Sequence, residues 1–367
     1  MASMVTTAQP SPSFWQGRKV LVTGHTGFKG AWLCLWLTKL GASVSGFSDA
    51  VPTTPNLFSD LELGHIIDDH RGDVCDFSRL REVIDAVKPD IILHLAAQSL
   101  VRLSYEKPIQ TYATNVMGTV HVLEAARRQA NVSLALVVTS DKSYENKEWI
   151  WRYRENDPMG GHDPYSSSKG CAELVTSAYA RSYTTPGKGV QFVSARAGNV
   201  IGGGDWATDR LIPDLVRGLS AMTAVPIRNP DAIRPWQHVL EPLSGYLVLC
   251  EKSVADPSLC AQGWNFGPGA DSEVTVREVA DKFCRLWSRE NGWIDVSNGA
   301  KLHEAKFLRL DCVKANSLLQ WHARLSLDDA LKATFEVYRS SSKGAALRDL
   351  LYRQIGMYTD ENQKARP

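Results

Sequence analysis

The chain has 367 residues, a length that favours one large domain with a smaller one appended. Its 41 basic and 40 acidic residues give a net charge of +1 without a basic block or acidic tail, which argues against nucleic-acid and membrane-surface partners. Seven scattered cysteines without a C-x-x-C pair argue against a disulfide framework and against a zinc site. We therefore predict reduced thiols, no metal and a small-molecule partner.

The two ends of the chain predict neither export nor membrane insertion. Residues 1–13, MASMVTTAQPSPS, have no basic start and no apolar stretch, and no apolar run elsewhere approaches the roughly 20 residues that span a bilayer. We expect a cytoplasmic protein with a disordered segment at residues 1–13 and a tail at residues 351–367.

From residue 19 onwards, short β-rich runs alternate with amphipathic stretches. The predicted order is strand 19–23, helix 31–40, strand 42–47, helix 80–87, strand 91–95, helix 115–129, strand 134–139, helix 165–183 and strand 190–196. Uninterrupted apolar runs such as VLV at residues 20–22 suit strands covered on both faces. The pattern predicts an α/β fold, a Rossmann-like doubly wound parallel sheet with a smaller C-terminal α/β substrate domain.

The alternation becomes irregular after Gly198, where glycines and prolines accumulate. We predict an NAD-binding Rossmann domain over residues 14–197, to which the chain returns near residues 236–268. The substrate domain would comprise residues 198–235 and 269–350.

A glycine loop lies between the first predicted strand and helix. Gly24, Gly27 and Gly30 follow a G-x-x-G-x-x-G spacing, with Thr26 and Phe28 between them. Glycines let a backbone turn sharply and approach a pyrophosphate, and the helix N-terminus offers free N–H groups. The alternative is a turn kept for close packing, but the position between strand and helix favours dinucleotide binding.

Acidic residues after the next two strands are candidates for the adenosine end of the cofactor. Asp49 lies about twenty residues beyond the loop, where an acid commonly holds the ribose, although Ser48 occupies that position equally well. No arginine lies in this turn to receive a 2′-phosphate, which favours NAD over NADP. Asp73, beside Val74, is placed to reach the adenine, and both acids retain the alternative of ordinary turn residues.

Two short patterns carry the candidate chemistry. Tyr165 and Lys169 lie four residues apart, hence on one helix face, where the lysine charge would favour the phenolate and the ammonium could hold a ribose. Ser140, Asp141 and Lys142 follow a buried strand and place a hydroxyl, a carboxylate and an amine side by side. A solvated turn or a structural ion pair is the alternative for this second pattern.

Together these motifs resemble the extended short-chain dehydrogenase/reductase family that modifies nucleotide-linked sugars. The resemblance covers about residues 18–340 and rests on VTGHTGFKGAWL, HLAAQ, NVMGT, TSDKSYEN, Y-x-x-x-K, RAGNVIGGGDWATDRLIPD and RPWQHVLEPLSGYL. Four of these blocks, VTGHTGFKGAWL, TSDKSYEN, RAGNVIGGGDWATDRLIPD and RPWQHVLEPLSGYL, narrow it to the sugar-nucleotide 4,6-dehydratases. It implies NAD as cofactor and dehydration of CDP-glucose to CDP-4-dehydro-6-deoxy-D-glucose in deoxysugar (O-antigen) biosynthesis.

The resemblance also implies a role for each catalytic group. Tyr165 would deprotonate the C4 hydroxyl, Ser140 would hydrogen-bond that oxygen, Asp141 would be the acid and Lys142 the base. Related dehydratases carry glutamate where this chain has Lys142. The pair would need a raised pKa for the acid and a lowered one for the amine, or a proton shared between them.

Further residues and the assembly follow from the same resemblance. Additional cofactor contacts are expected from Leu95, Ala96, Ala97 and Asn115, and substrate contacts from Gln98, Asn199, Arg210 and Arg234. Asn199 and Arg234 would bind the diphosphate and Arg210 the nucleotide end, with surface or capping roles as alternatives. His25 and Lys29 are bulky for the glycine loop and predict looser NAD binding than in other members.

Helices near residues 104–128 and 165–183 are expected to pair as a four-helix bundle in a homodimer, or in a tetramer of such dimers.

Two other functions remain open. A C4 epimerase of the same family would use the glycine loop and Tyr165 but would not need Asp141 or Lys142. A nucleotide-binding sensor or scaffold would have lost catalysis, which the intact Tyr165, Lys169 and Asp141 argue against.

Overall fold

The computed structural model describes residues 7–184, 189–259, 262–297 and 307–360. The strands in chain order are β1 (Lys19–Thr23), β2 (Ser43–Ser48), β3 (Asp68–Arg71), β4 (Ile91–His94), β5 (Leu134–Val138), β6 (Gln191–Ala197), β7 (Val200–Ile201), β8 (Val225–Ile227), β9 (Ile233–Pro235), β10 (Gln237–His238), β11 (Gly263–Phe266), β12 (Glu273–Thr275) and β13 (Trp293–Asp295).

The α-helices in chain order are α1 (Pro12–Trp15), α2 (Phe28–Lys39), α3 (Leu57–Asp60), α4 (Phe77–Val87), α5 (Val101–Glu106), α6 (Pro108–Tyr112), α7 (Gly118–Arg128), α8 (Pro164–Tyr183), α9 (Leu211–Ser220), α10 (Leu240–Ala255), α11 (Val276–Leu286), α12 (Leu327–Arg339) and α13 (Gly344–Thr359). A π-helical turn, Ala113–Met117, leads directly into α7.

A parallel sheet of seven strands forms the centre, in the order β11-β6-β5-β4-β1-β2-β3. Strand β5 is buried along its whole length. Leu134, Leu136 and Val138 pack in one apolar cluster with α2 and α10, while Ala135 and Val137 pack in the opposite cluster with α4 and α7. The predicted doubly wound sheet is confirmed, and its strand order reverses between β1 and β4, where such folds bind ligands.

The N-terminal prediction is wrong over residues 7–13, and residues 1–6 lie outside the described ranges. The Ala8 N–H donates to the Gln320 carbonyl at 2.7 Å. The backbone N–H of Ser11 and the indole of Trp15 both donate to Glu251, at 2.7 and 2.6 Å. Burial of the Trp15 ring anchors this segment, an effect that its Ser- and Pro-rich composition does not reveal.

The predicted tail is wrong over residues 351–360, and residues 361–367 lie outside the described ranges. Helix α13 continues to Thr359, and it buries Leu351, Ile355 and Tyr358. The Tyr358 ring meets the edge of Trp36 on α2 at 5.8 Å between centroids. Helix α2 thus lies between the sheet and α13, because both of its faces are apolar.

A second group of elements lies beyond β6. It contains three short strand pairs, β7 with β10, β8 with β13 and β9 with β12. Helices α9, α11 and α12 share a separate apolar cluster that includes Ile212, Phe283 and Leu331. The division of the chain into an NAD-binding and a substrate domain stays a prediction. Within the described ranges, no helix combines the length and apolar character needed to cross a membrane.

Candidate active site

The glycine loop brings three backbone segments into close contact at the carboxyl end of β1. Gly24 has a φ of +74°, and a Cβ there would lie 2.6 Å from the Ala96 nitrogen. A Cβ on Gly30 would lie 2.2 Å from the Gly24 carbonyl oxygen. Gly27 is the N-cap of α2 and offers no side-chain cap to the first helical turn. The tight backbone and uncapped helix start fit the predicted pyrophosphate cradle.

Around this loop, Thr26 fixes the next turn by donating its hydroxyl to the Ala50 carbonyl at 2.7 Å. The Phe28 ring approaches Gly202, where a Cβ would lie 2.9 Å from it. Both residues therefore shape the loop, and their contacts with a cofactor stay a prediction.

His25 points from the loop into the sheet. Its Nδ1 bonds the Ser48 hydroxyl at 3.0 Å and its Nε2 bonds Asp69 at 2.8 Å. Burial lowers the pKa of His25 despite the hydrogen bond to Asp69. Asp49 is exposed and accepts the Ala50 N–H at 2.7 Å. Ser48 is thus engaged inside the fold, and Asp49 is the better placed of the two for an outside ligand.

At the predicted adenine end, Asp73 accepts the Cys75 N–H at 2.8 Å, as a turn-forming carboxylate does. Val74 is buried and packs so closely on α7 that a Cβ on Gly118 would lie 2.7 Å from it. Both residues lie where the sequence places them, but nothing in their contacts identifies an adenine.

The loop after β4 is tied to the glycine loop and to α8. The Leu95 N–H donates to the Thr23 carbonyl at 3.1 Å, and Ala96 and Ala97 continue the loop. Asn115 accepts the Gln98 N–H at 2.8 Å and donates to Ser168 on α8 at 2.9 Å. The Gln98 amide is occupied within the loop, where it donates to the Leu100 carbonyl and to the Thr111 hydroxyl at 3.0 Å each. Asn115 and Gln98 therefore build the wall of the site.

The strand end after β5 forms a short 3₁₀ helix, Asp141–Ser143, with Ser140 as its N-cap. The Ser140 hydroxyl accepts the Lys142 N–H at 3.2 Å and donates to Asp141 Oδ1 at 3.0 Å. Asp141 Oδ2 is buried without a hydrogen-bond partner among the described residues. Burial raises the pKa of Asp141, although the Lys142 charge opposes the shift. Asp141 is therefore suited to hold a proton and to donate it into the site.

Tyr165 and Lys169 lie one turn apart near the start of α8, which Asp163 caps by accepting the Ser166 N–H at 2.9 Å. Burial raises the pKa of Tyr165, while a hydrogen bond to Ser140 and the charge of Arg210 lower it. Desolvation, together with the charges of Asp141 and Asp163, outweighs these two effects, so the net shift is opposite to the one that the Tyr-Lys spacing predicts. The hydrogen bond places Tyr165 and Ser140 at one point of the site.

Cations converge on the same region. Arg210 donates to Asp205 at 2.9 Å and to the Ser99 hydroxyl at 3.0 Å. It also acts on the Tyr165 phenol, which places it nearer the reacting groups than the nucleotide-end role predicts. Lys29, on the first turn of α2, lies within reach of the charges of Arg210 and Lys169, and burial lowers the pKa of Lys29 to about 7. Sequence reasoning treated Lys29 only as a bulky loop residue and missed this position.

The two remaining substrate candidates lie near Asp141. Asn199 follows β6, and its carbonyl accepts the Gln237 N–H at 3.0 Å. Arg234 donates to the Ile233 carbonyl at 2.8 Å, and its charge acts on Asp141. Their contacts with a diphosphate stay a prediction. Among the described residues, no group of three or more His, Cys, Asp or Glu side chains is arranged to hold a metal ion.

Comparisons with solved structures agree with the fold. An NAD complex of dTDP-glucose 4,6-dehydratase from Bacillus anthracis gives a TM-score of 0.72 at 20% identity and covers 90% of this chain and 99% of that one. UDP-glucose 4-epimerase from Thermotoga maritima, with UDP-glucose, gives 0.75 at 20% identity and covers 87% and 98%. At these identities the likeness concerns the fold alone.

The sequence comparisons are more specific. CDP-glucose 4,6-dehydratase of Salmonella typhimurium is 50% identical over 351 residues, which cover 94% of this chain and 97% of the relative. Human dTDP-D-glucose 4,6-dehydratase is 25% identical over 283 residues, 74% of this chain and 75% of the relative. A family model described as GDP-mannose 4,6 dehydratase matches residues 21–334. These matches confirm the resemblance that the motifs carry, and the chain belongs to the GDP-mannose 4,6-dehydratase family of extended short-chain dehydrogenases/reductases.

Proposed function

We propose that this protein is an NAD-dependent hydro-lyase that converts CDP-glucose to CDP-4-dehydro-6-deoxy-D-glucose. The observation that carries the proposal is the buried Asp141, with one unpartnered oxygen and a raised pKa, next to Lys142 and the Ser140–Tyr165 pair. A dehydration needs such a proton donor, whereas a C4 epimerisation does not. The 50% identity to a CDP-glucose 4,6-dehydratase supports cytidine as the nucleotide.

The backbone of the glycine loop would hold the cofactor pyrophosphate at the start of α2, with Asp49 near the adenosine ribose. Lys169 would hold the ribose on the nicotinamide side. When bound, NAD takes the hydrogen from C4 as hydride and returns it to C6.

The residues of this chain would perform four proton transfers. Tyr165 takes the proton of the C4 hydroxyl as a phenolate, a form that the Ser140 hydrogen bond and the Arg210 charge favour against burial, while Ser140 hydrogen-bonds the same oxygen. The resulting C4 ketone acidifies the hydrogen on C5, and Lys142 removes it as a proton. Asp141 protonates the C6 hydroxyl, which leaves as water. Lys142 returns its proton to C5 when C6 regains the hydrogen that C4 gave, and the proton taken by Tyr165 balances the one given by Asp141. The sugar loses one water molecule and undergoes no net oxidation.

The acid and base assignments place opposite demands on neighbouring groups. Asp141 must be protonated and Lys142 neutral when C5 reacts. Burial supports the first condition by raising the pKa of Asp141. One proton shared between the two groups would meet both conditions, because the pair then titrates as a unit rather than as two independent side chains.

Turnover of CDP-glucose in the presence of NAD tests the proposal. We expect a 4-keto-6-deoxy sugar, detected by NMR through its new C6 methyl group, and no accumulation of NADH absorbance. A C4 epimer without a methyl group would indicate the epimerase alternative, and binding without turnover would indicate a sensor. Steady release of one NADH per sugar would contradict a redox-neutral reaction.

We also propose a homodimer through α5, α6, α7 and α8, or a tetramer of two such dimers. Exposed apolar side chains support this surface, notably Ile109 at 86% and Leu174 at 60% exposure. Sedimentation of Ile109→Glu should give monomers, whereas Met222→Glu, a control at a 72% exposed methionine on another surface, should not. A monomeric wild-type protein at micromolar concentration would contradict the proposal.

We place the activity in cytoplasmic deoxysugar synthesis for O-antigen lipopolysaccharide.

A further inference from the structure

Glu173 is a buried carboxylate that no motif in the sequence singled out. It lies on α8 one turn beyond Lys169 and is only 3% exposed. It accepts hydrogen bonds from the Thr139 hydroxyl, from the Ser194 hydroxyl at 2.6 Å and from the Arg196 guanidinium at 2.7 Å. Burial alone would raise the pKa of Glu173, but Arg196 and the hydroxyl donors hold it below its ordinary value, so the group is ionised.

The partners of Glu173 belong to the segments that carry the catalytic groups. Thr139 immediately precedes Ser140, and its N–H extends the β5–β6 pairing through the Ala195 carbonyl at 2.9 Å. Arg196 lies at the end of β6, and it also donates to the Tyr144 hydroxyl at 2.5 Å. Tyr144 directly follows the 3₁₀ helix that contains Asp141. One carboxylate thus joins the end of β5, the end of β6 and α8.

Glu173 also faces Lys169 from the same helix. Burial lowers the pKa of Lys169 to about 8, and Glu173 is the neighbour that opposes this shift. Lys169 in turn acts on two neighbouring bases, neither of which can supply it with a negative charge. Burial, with the charges of Arg210 and Lys169, lowers the pKa of Lys29 on α2 to about 7, and burial with the Lys169 charge lowers that of His94 at the end of β4 to about 3. Arg196 on β6 is paired with Glu173 itself.

We infer that Glu173 is a positioning residue for the dehydration, which fixes the strand ends that carry Ser140 and Asp141 and supplies the counter-charge of the Lys169 ammonium. The inference deepens the proposed function and rests on it for the identity of the substrate. Glu173 itself does not touch the reacting atoms. Its effect reaches them through Thr139, Arg196 and Lys169.

The test is Glu173→Gln, which keeps the size of the side chain and removes its charge. Glu241→Gln is the matched control, because Glu241 on α10 is also buried at 1% exposure and accepts three hydrogen bonds, from the Arg324 and Leu325 N–H groups and the Tyr358 hydroxyl. Both variants remove one buried carboxylate with three donors. Only Glu173 faces the catalytic lysine.

We expect Glu173→Gln to lower kcat at pH 8 about tenfold or more while KM for CDP-glucose changes less than about threefold. The alkaline limb of its kcat profile should move to lower pH by about one unit, because Lys169 loses its counter-charge. Glu241→Gln should keep the wild-type profile even if its unfolding midpoint falls. A folded Glu173→Gln whose pH profile matches those of wild type and Glu241→Gln would overturn the inference.

Two further measurements keep the inference testable. NAD affinity, followed by tryptophan fluorescence as a function of pH, reports the Lys169 charge whether or not CDP-glucose is the substrate. As the pH rises, the NAD affinity of Glu173→Gln should begin to weaken at a lower pH than that of wild type, which would support the inference. Identical curves would oppose it. If Glu173→Gln does not fold, Thr139→Val removes the strand-end hydroxyl and leaves the Glu173–Arg196 pair. It should lower kcat about tenfold with little change in KM, and wild-type kcat would overturn the positioning role.

Discussion

Gly24→Ala should damage the cofactor loop far more than the same change at Gly17. Both glycines have a φ of +74°, a conformation that alanine adopts at a cost of about 1–2 kcal/mol. A Cβ on Gly17 meets no heavy atom within 4 Å. A Cβ on Gly24 would lie 2.6 Å from the Ala96 nitrogen and 2.8 Å from the Ala96 Cα, both backbone atoms that no side-chain rotation can move.

The structure sets the size of the difference. To reach the 3.4 Å of ordinary contact, the loop after β4 and the glycine loop must separate by about 0.8 Å. Overpacking of this kind costs about 1–3 kcal/mol. The conformational cost is partly offset in both variants by the lower entropy of the unfolded alanine chain, about 0.4–1 kcal/mol. We therefore expect about 1 kcal/mol of lost stability for Gly17→Ala and about 2–4 kcal/mol for Gly24→Ala.

Urea unfolding followed by tryptophan fluorescence measures the two losses, and titration with NAD measures the consequence for the site. Gly17→Ala should bind NAD as wild type does. Gly24→Ala should bind at least about tenfold more weakly, because the displaced loop no longer presents its backbone to the pyrophosphate. Equal stability losses in the two variants, or unchanged NAD affinity in Gly24→Ala, would refute the close-approach argument.

Two predictions concern the proton transfers. Tyr165→Phe should lower kcat by about 10²–10⁴-fold, because the C4 hydroxyl loses its base. The control Tyr183→Phe, at the far end of the same helix, should keep the wild-type kcat. Activity of Tyr165→Phe within a few-fold of wild type would exclude Tyr165 from this role. Lys142→Met should still transfer hydrogen from C4 but stall before water is lost. Single-turnover absorbance of reduced nicotinamide, with solvent deuterium incorporation at C5, measures this, and exchange at the wild-type rate would assign the C5 base to another group.

The sequence predicts the local elements well where a single segment contains the signal. Strand β1 runs from Lys19 to Thr23, as its apolar run indicates, and α8 begins one residue before the predicted start because Asp163 and Pro164 supply its cap and first turn. The order of strands follows from their alternation with helices. It places the ends of β1, β4 and β5 side by side, and with them the glycine loop and Ser140.

The features that the sequence does not predict depend on contacts between distant segments. Trp36 meets Tyr358 across more than 300 residues, so a charged C-terminal composition hides a core helix. The sequence also does not predict the direction in which a side chain points. His25 lies in the glycine loop and bonds Asp69 of β3, whereas Lys29, four residues later on the first turn of α2, lies within reach of the charges of Arg210 and Lys169.

The catalytic strand end requires conditions that its own four residues cannot create. Asp141 needs burial to hold a proton, but the same burial disfavours the charge on Lys169. A uniformly apolar environment would therefore keep Asp141 protonated but would also remove the charge of Lys169. Glu173 separates the two requirements, since it lies one turn from Lys169 on α8 and is held by Thr139, Ser194 and Arg196. The fold can thus keep an acid protonated and a cation charged in one buried site, provided that the counter-charge comes from behind the lysine.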